Sequence, residues 1–72
     1  MEKYADTFRK RFKSRRKELG MNQVQLSKKT KLHCSWISSV EHGRRLPSFY
    51  NIIRLAKVLE CTTDWLLGID NE

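Results

Sequence analysis

The residues of this chain that could do chemistry crowd into one short stretch. Between positions 33 and 45 stand two imidazoles (His33, His42), a thiol (Cys34), three hydroxyls (Ser35, Ser38, Ser39), an indole (Trp36) and two guanidinium groups (Arg44, Arg45). A metal site would draw on His33, Cys34, His42 and Cys61, but their spacing matches no standard ligand pattern. Catalysis would need a constellation of acid, base and nucleophile. Here the two histidines flank the serines, the acidic residues are scattered, and no glycine loop is available to cradle a phosphate. Neither an enzyme nor a bound cofactor or metal is expected. What remains is recognition, with short polar groups giving and accepting hydrogen bonds beside a supply of positive charge.

The charge is unevenly placed. Fifteen Lys and Arg against eight Asp and Glu give a net +7. Residues 1–45 hold thirteen basic and four acidic side chains, a net of +9, whereas residues 46–72 hold two and four, a net of −2. A uniform excess would argue for solubility alone; a polarised one implies that a polyanion docks on the first half.

Seventy-two residues allow one domain, 1–72, with a core of modest depth. No apolar run approaches the ~20 residues that span a bilayer. The opening Met1-Glu2-Lys3-Tyr4 is unlike a signal peptide, so a soluble, cytoplasmic protein is expected. Cys34 and Cys61 lie in no CxxC motif and read as reduced thiols.

The elements that must position these groups are helices. Tyr4, Phe8, Phe12 and Leu19 recur at three- to four-residue steps and predict a first helix from Ala5 to Glu18, its other faces mostly basic and solvated. Leu19-Gly20 stops it. Asn22 caps a second helix over Gln23–Thr30, with Val24 and Leu26 as its apolar members. A turn at Lys31-Leu32-His33 leads to a third helix, Cys34–Glu41, which puts Ile37 and Val40 inward and Cys34, Ser35, Ser38 and Ser39 toward solvent. Leu46-Pro47-Ser48 marks a boundary, followed by a fourth helix over Phe49–Leu59. Thr62 caps a short fifth helix that Gly68 ends. No strand pattern appears, so the fold class is all-α.

Helices two and three carry a residue mask. In a twenty-residue unit starting at Gln23, the fourth, tenth, fifteenth and eighteenth places hold Leu26, Leu32, Ile37 and Val40. The fifth, where two helices would cross closely, holds the small Ser27. The run Leu19-Gly20-Met21-Asn22-Gln23-Val24-Gln25-Leu26-Ser27 resembles the "LGLTQxELA" opening of the Cro and phage-repressor type helix-turn-helix family (lambda-repressor-like, XRE-type). Ile37-Ser38-Ser39-Val40-Glu41-His42-Gly43 resembles its "ISxxExG" continuation. Pro47-Ser48, Ile52, Leu55-Ala56, Leu59 and Asp64-Trp65-Leu66-Leu67 resemble its "PSxxxLxxIAxxLxVxxDxLL" tail. These stretches run from Leu19 to Leu67, and the resemblance extends over about residues 8–67. Three positions depart from the pattern: Lys31 stands where the turn usually has Gly, His33 where an N-cap Ser or Thr is usual, and Cys61 in place of an aliphatic residue.

The resemblance implies a compact five-helix domain with its helix-turn-helix at helices two and three. It also implies that the outer side of helix three reads bases in a duplex major groove. Cys34, Ser35, Ser38 and Ser39, with Gln23 from helix two, are the expected base-reading residues. Gln23, His33, Trp36, His42, Arg44 and Arg45 are the expected phosphate contacts, although Trp36 equally fits half-buried packing. Lys28, Lys29 and Lys31 read as diffuse electrostatic support. Arg16 and Glu41 match a pair that family members use as an ion bridge. A homodimer on a pseudo-palindromic double-stranded DNA operator follows, because one helix spans only ~3–5 base pairs. The context reads as phage-repressor-like or restriction–modification-controller-like. A protein-interaction module of antitoxin or antirepressor type is the alternative, and no membrane partner is expected because the apolar stripe of helix one is too narrow for strong insertion.

Overall fold

The computed structural model describes residues 2–70, apart from the side chain of Glu2; the other positions of the expected 1–72 domain, Met1, Asn71 and Glu72, lie outside the described residues. Five α-helices follow in order: α1 (Glu2–Glu18), α2 (Gln23–Thr30), α3 (Cys34–Glu41), α4 (Phe49–Val58) and α5 (Thr63–Leu67). No strand occurs among the described residues. α1 packs on α3 and α5, α2 on α3 and α4, and α4 on α5, around one core of Phe8, Phe12, Met21, Leu26, Ile37, Val40, Leu55, Ala56, Leu59 and Leu66.

α1 starts three residues before Ala5, because nothing in Glu2-Lys3-Tyr4 breaks a helix. Its buried stripe runs Phe8, Phe12, Arg16 at four-residue steps, so a charged residue occupies the core-facing place after the two phenylalanines. α1 ends in a Schellman motif: the Gly20 N–H donates to Lys17 O and the Met21 N–H to Arg16 O, with Gly20 at φ +72°.

α2 opens with a complete capping box: Asn22 Oδ1 accepts the Gln25 N–H at 2.7 Å, and Gln25 Oε1 accepts the Asn22 N–H at 2.8 Å. Of its two expected apolar members only Leu26 is buried; Val24 is 52% exposed. Two residues apart on a helix is about 200° of rotation, so the two cannot share a face. The inward partner of Leu26 is Thr30, one turn on, whose hydroxyl donates to Leu26 O and accepts the Leu32 N–H.

α4 is capped by Ser48, whose hydroxyl accepts the Asn51 N–H. It buries Leu55, Ala56 and its C-cap Leu59. Phe49 has the spacing of this face but is 79% exposed, since it occupies the first position, which no neighbouring helix covers. At the far end of the chain, Gly68 closes α5 at φ +81° and lies against Thr7 of α1, where a Cβ would fall 2.6 Å from Thr7 Cγ2.

The turn between α2 and α3 keeps the geometry for which Gly is usual, with Lys31 in its place. Lys31 sits in the left-handed region at φ 64°, ψ 18°, its N–H donating to Ser27 O at 2.8 Å. Ser27 also donates its hydroxyl to Leu32 O, and Arg54 Nη1 of α4 reaches across to Thr30 O at 3.2 Å. These bonds outweigh the left-handed penalty of ~1–2 kcal/mol for a residue with a Cβ. Lys31→Gly should therefore raise stability by about 0.5–1 kcal/mol once the added freedom of the unfolded chain is subtracted. Thermal unfolding would show a Tm rise of about 2–8 °C for a domain this small. Lys31→Ala, which keeps the Cβ, should show no such rise.

Candidate nucleic-acid interface

α3 has an inner and an outer side, and the division decides what it can touch. Ile37, Val40 and Glu41 are buried, at 0%, 1% and 6% exposure. Turning by 100° per residue, the opposite side carries Ser35 and Ser39, flanked by Ser38. Ser35 is exposed, and Cys34, Ser38 and Ser39 are half-buried with none turned into the core. The outer side is thus paved with small polar groups. No long side chain stands between the helix backbone and an approaching surface.

Trp36 lies at the edge of this face and does two things. Its ring packs against the core. Its indole N–H makes no hydrogen bond among the described residues, yet no buried side-chain nitrogen or oxygen there lacks a partner, so this donor is open to solvent. The packing and contact readings of Trp36 are compatible.

The angle of α3 is held by a buried ionic tether. Arg16 Nε and Nη2 donate to Glu41 Oε2 and Oε1 at 2.7 and 3.1 Å, and both residues are 6% exposed. The third guanidinium nitrogen, Nη1, donates to Met21 O at 2.7 Å. Gln23 Nε2 donates to Glu41 Oε1 at 3.1 Å. One carboxylate thus joins α1, α3 and the start of α2. The amide of Gln23 commits one donor to this tether, and its side chain keeps an acceptor and one N–H for an outside partner.

The two histidines at the ends of α3 differ in chemistry. His33 is the N-cap, and its Nδ1 accepts the Ser35 backbone N–H at 3.1 Å, where Ser or Thr would have offered a hydroxyl. An accepting Nδ1 leaves the proton of the neutral ring on Nε2, a donor of the kind a phosphate oxygen takes. His42 Nδ1 lies 2.7 Å from Ser38 O, which can only accept, so there Nδ1 carries the proton. The Nε2 of neutral His42 is an acceptor and does not match a phosphate; only the protonated ring would donate.

Two groups of basic residues bear on this face. Arg11, on α1, stacks over Trp65 at 4.9 Å, pairs with Asp70 at 3.0 Å and donates to Trp65 O. Arg15 Nε donates to Leu59 O at 2.8 Å and Nη1 reaches Glu18 at 3.3 Å. Arg9 pairs with Asp6. Arg11 and Arg15 therefore close the carbonyl ends of α5 and α4, where the helix dipole is negative. They are structural, whereas Lys10, Lys13 and Lys17 of the same helix are exposed, as expected for its solvated basic face. The other group stands at the two ends of α3: Lys28, Lys29 and Lys31 before it, Arg44 and Arg45 after it, all exposed. The Arg44 and Arg45 side chains make no hydrogen bond or ion pair among the described residues.

Cys34 and Cys61 are both free. Burial pushes the Cys61 thiol above its ordinary range, with the nearby Arg15 charge pulling more weakly the other way. It stays protonated at neutral pH and packs as a small apolar group. Among the described residues no group of three or more His, Cys, Asp or Glu could hold a metal ion, and no helix is long and apolar enough to cross a membrane.

A tethered helix with an open polar side, cations at both its ends and a short left-handed turn before it defines a class: a helix-turn-helix domain. The chain belongs to the helix-turn-helix family of Cro and phage-repressor type, whose family model matches residues 12–66. It is similar to the HTH-type transcriptional regulator DicA of Escherichia coli (strain K12), with 35% identity over 66 residues, 92% of this chain. The chain spans about half the length of that relative, 49%. No solved structure gave a significant match.

Proposed function

We propose that this chain is the sequence-specific duplex-binding domain of a transcriptional regulator, placing α3 in the major groove of an operator. The observation that carries the proposal is the outer side of α3, where Ser35 and Ser39 stand opposite the buried Ile37 and Val40 on a helix that Arg16 and Glu41 hold in place. Side chains this short reach base edges only if the helix sits deep in the groove. Cys34, Ser35, Ser38 and Ser39 are the proposed base readers, with Cys34 suited to a thymine methyl and the serines to single hydrogen bonds. Arg44, Arg45, His33 and the Trp36 N–H are the proposed phosphate contacts, joined by His42 when protonated. Gln23, already bonded to Glu41, is proposed to use its remaining amide groups at the groove edge. The name of the DicA relative supports the regulatory role.

The domain is proposed to act as a homodimer on a pseudo-palindromic site. Leu46, Phe49 and Tyr50 are 72%, 79% and 68% exposed, and these apolar side chains lie in the less charged half of the chain. The same residues favour a second reading, a protein-binding module. Titrating salt against affinity for duplexes selected from a random library distinguishes the two. A dimer engaging six to ten phosphates should lose about 10³–10⁵ in affinity between 50 and 200 mM salt. The recovered motif should be two half-sites centred about 10 base pairs apart. A flat salt response with no recovered motif would leave the protein-binding reading.

A further inference from the structure

The hydroxyl of Ser35 is not free to play both hydrogen-bonding roles. Ser35 Oγ lies 2.8 Å from His33 Nδ1, the same nitrogen that accepts the Ser35 backbone N–H at 3.1 Å. Because Nδ1 accepts the backbone N–H it carries no proton to give the hydroxyl, so the hydroxyl is the donor at this contact and shares the single Nδ1 lone pair with the backbone N–H in a three-centre bond. Only the oxygen lone pairs of Ser35 then remain for an outside partner. Ser38 is the counter-example within the same helix. His42 Nδ1 gives its proton to Ser38 O at 2.7 Å and lies 3.4 Å from Ser38 Oγ, so it leaves that hydroxyl proton uncaptured.

We propose that His33 makes Ser35 an acceptor-only reader, so that the operator carries adenine or cytosine, rather than guanine or thymine, at the base Ser35 faces. This rests on the reading that α3 occupies the major groove. A serine hydroxyl ordinarily serves either kind of base, which is why serine alone reads little. In the major groove adenine N6 and cytosine N4 donate, whereas guanine O6 and thymine O4 accept. Every pair carries one amino and one keto group, so an acceptor-only oxygen distinguishes the orientation of the pair on the contacted strand. Ser35 is exposed and second in α3, in the N-terminal part of the recognition helix that meets base edges. Holding both its backbone N–H and its hydroxyl on one imidazole also fixes its rotamer before binding.

Selection from a random duplex library with the wild type and with Ser35→Ala locates the facing base as the position whose preference the variant loses. The wild type should show adenine or cytosine there. Replacing that base by purine or 2-pyrimidinone, which lack the amino group, should weaken the wild type about two- to tenfold, the range for one hydrogen bond, and Ser35→Ala not at all. His33→Gly keeps a tolerated N-cap residue but frees the hydroxyl proton, and should narrow the preference between amino and keto bases to within about twofold. His33→Asp, which can accept from both the N–H and the hydroxyl, should keep the preference even if overall affinity falls. Selective binding with guanine or thymine at this base, or an undiminished preference in His33→Gly, overturns the proposal while leaving the groove reading intact. Loss of all sequence selectivity in the wild type overturns both.

Discussion

Glu41→Ala should lower the unfolding free energy by about 3–5 kcal/mol, the range for removing one partner of a buried ion pair. The reason is what would be left behind. Arg16 is 6% exposed and sits on the core-facing stripe of α1 after Phe8 and Phe12. Without the carboxylate, its guanidinium keeps, among the described residues, the bond to Met21 O alone. A domain of this length has about 4–11 kcal/mol of stability in total, so the variant should be largely or partly unfolded at 37 °C. Glu41→Gln, still able to accept from Arg16, should lose less. Arg16→Met combined with Glu41→Leu should recover most of the loss, because two apolar groups leave no stranded charge. Urea unfolding of the single and double variants measures all of these. A loss under about 1 kcal/mol in Glu41→Ala would mean that the tether does not hold α1, α2 and α3 together. If the double variant refolds but binds DNA with relaxed sequence preference, the pair serves chiefly to set the angle of α3.

Arg44→Ala with Arg45→Ala should weaken binding to every duplex and reduce the salt slope by about 1.8 per protomer, 0.9 for each phosphate contact removed. Ser35→Ala with Ser39→Ala should do the reverse, changing which operators are preferred while leaving nonspecific affinity and the salt slope nearly unchanged. The contrast follows from position. The arginines lie beyond the end of α3, their side chains without a polar partner among the described residues, free to meet a backbone charge that is the same in every sequence. The serines lie on its outer side, where only a base edge would meet them. Binding isotherms at several salt concentrations, on a selected operator and on an unrelated duplex, report both effects. Serine variants that behaved like the arginine variants would place the reading face elsewhere.

Much of the architecture was legible before any contact was known. Asn22, Ser48 and Thr62 were recognisable as caps because a helix start needs a short side-chain acceptor, and all three are bonded in that way. The two elements of the helix-turn-helix were readable to their ends, since the mask of Leu26, Ser27, Leu32, Ile37 and Val40 is a local pattern. Apolar character alone did not settle burial: Val24 lies about 200° around α2 from Leu26 and Phe49 stands at the first position of α4, and both are exposed. A signal for Arg16 was available: four-residue steps from Tyr4 through Phe8 and Phe12 lead to it. Thr30, buried at 2% exposure, gave no such signal, since a threonine at a helix end looks like surface.

The amino-acid order by itself determined the five helices, their caps and the polar side of α3, because these depend on interactions within a few residues along the chain. Only the tertiary structure decided which cations are spent. Arg11 meets Asp70 across 59 positions and Arg15 meets Leu59 O across 44, whereas the side chains of Arg44 and Arg45 make no hydrogen bond or ion pair among the described residues. Net charge counts them all alike. Their availability to a partner depends on which distant carbonyls and carboxylates the packed helices bring within hydrogen-bonding reach, whereas the tautomers of His33 and His42 are set by partners two and four residues away along the chain.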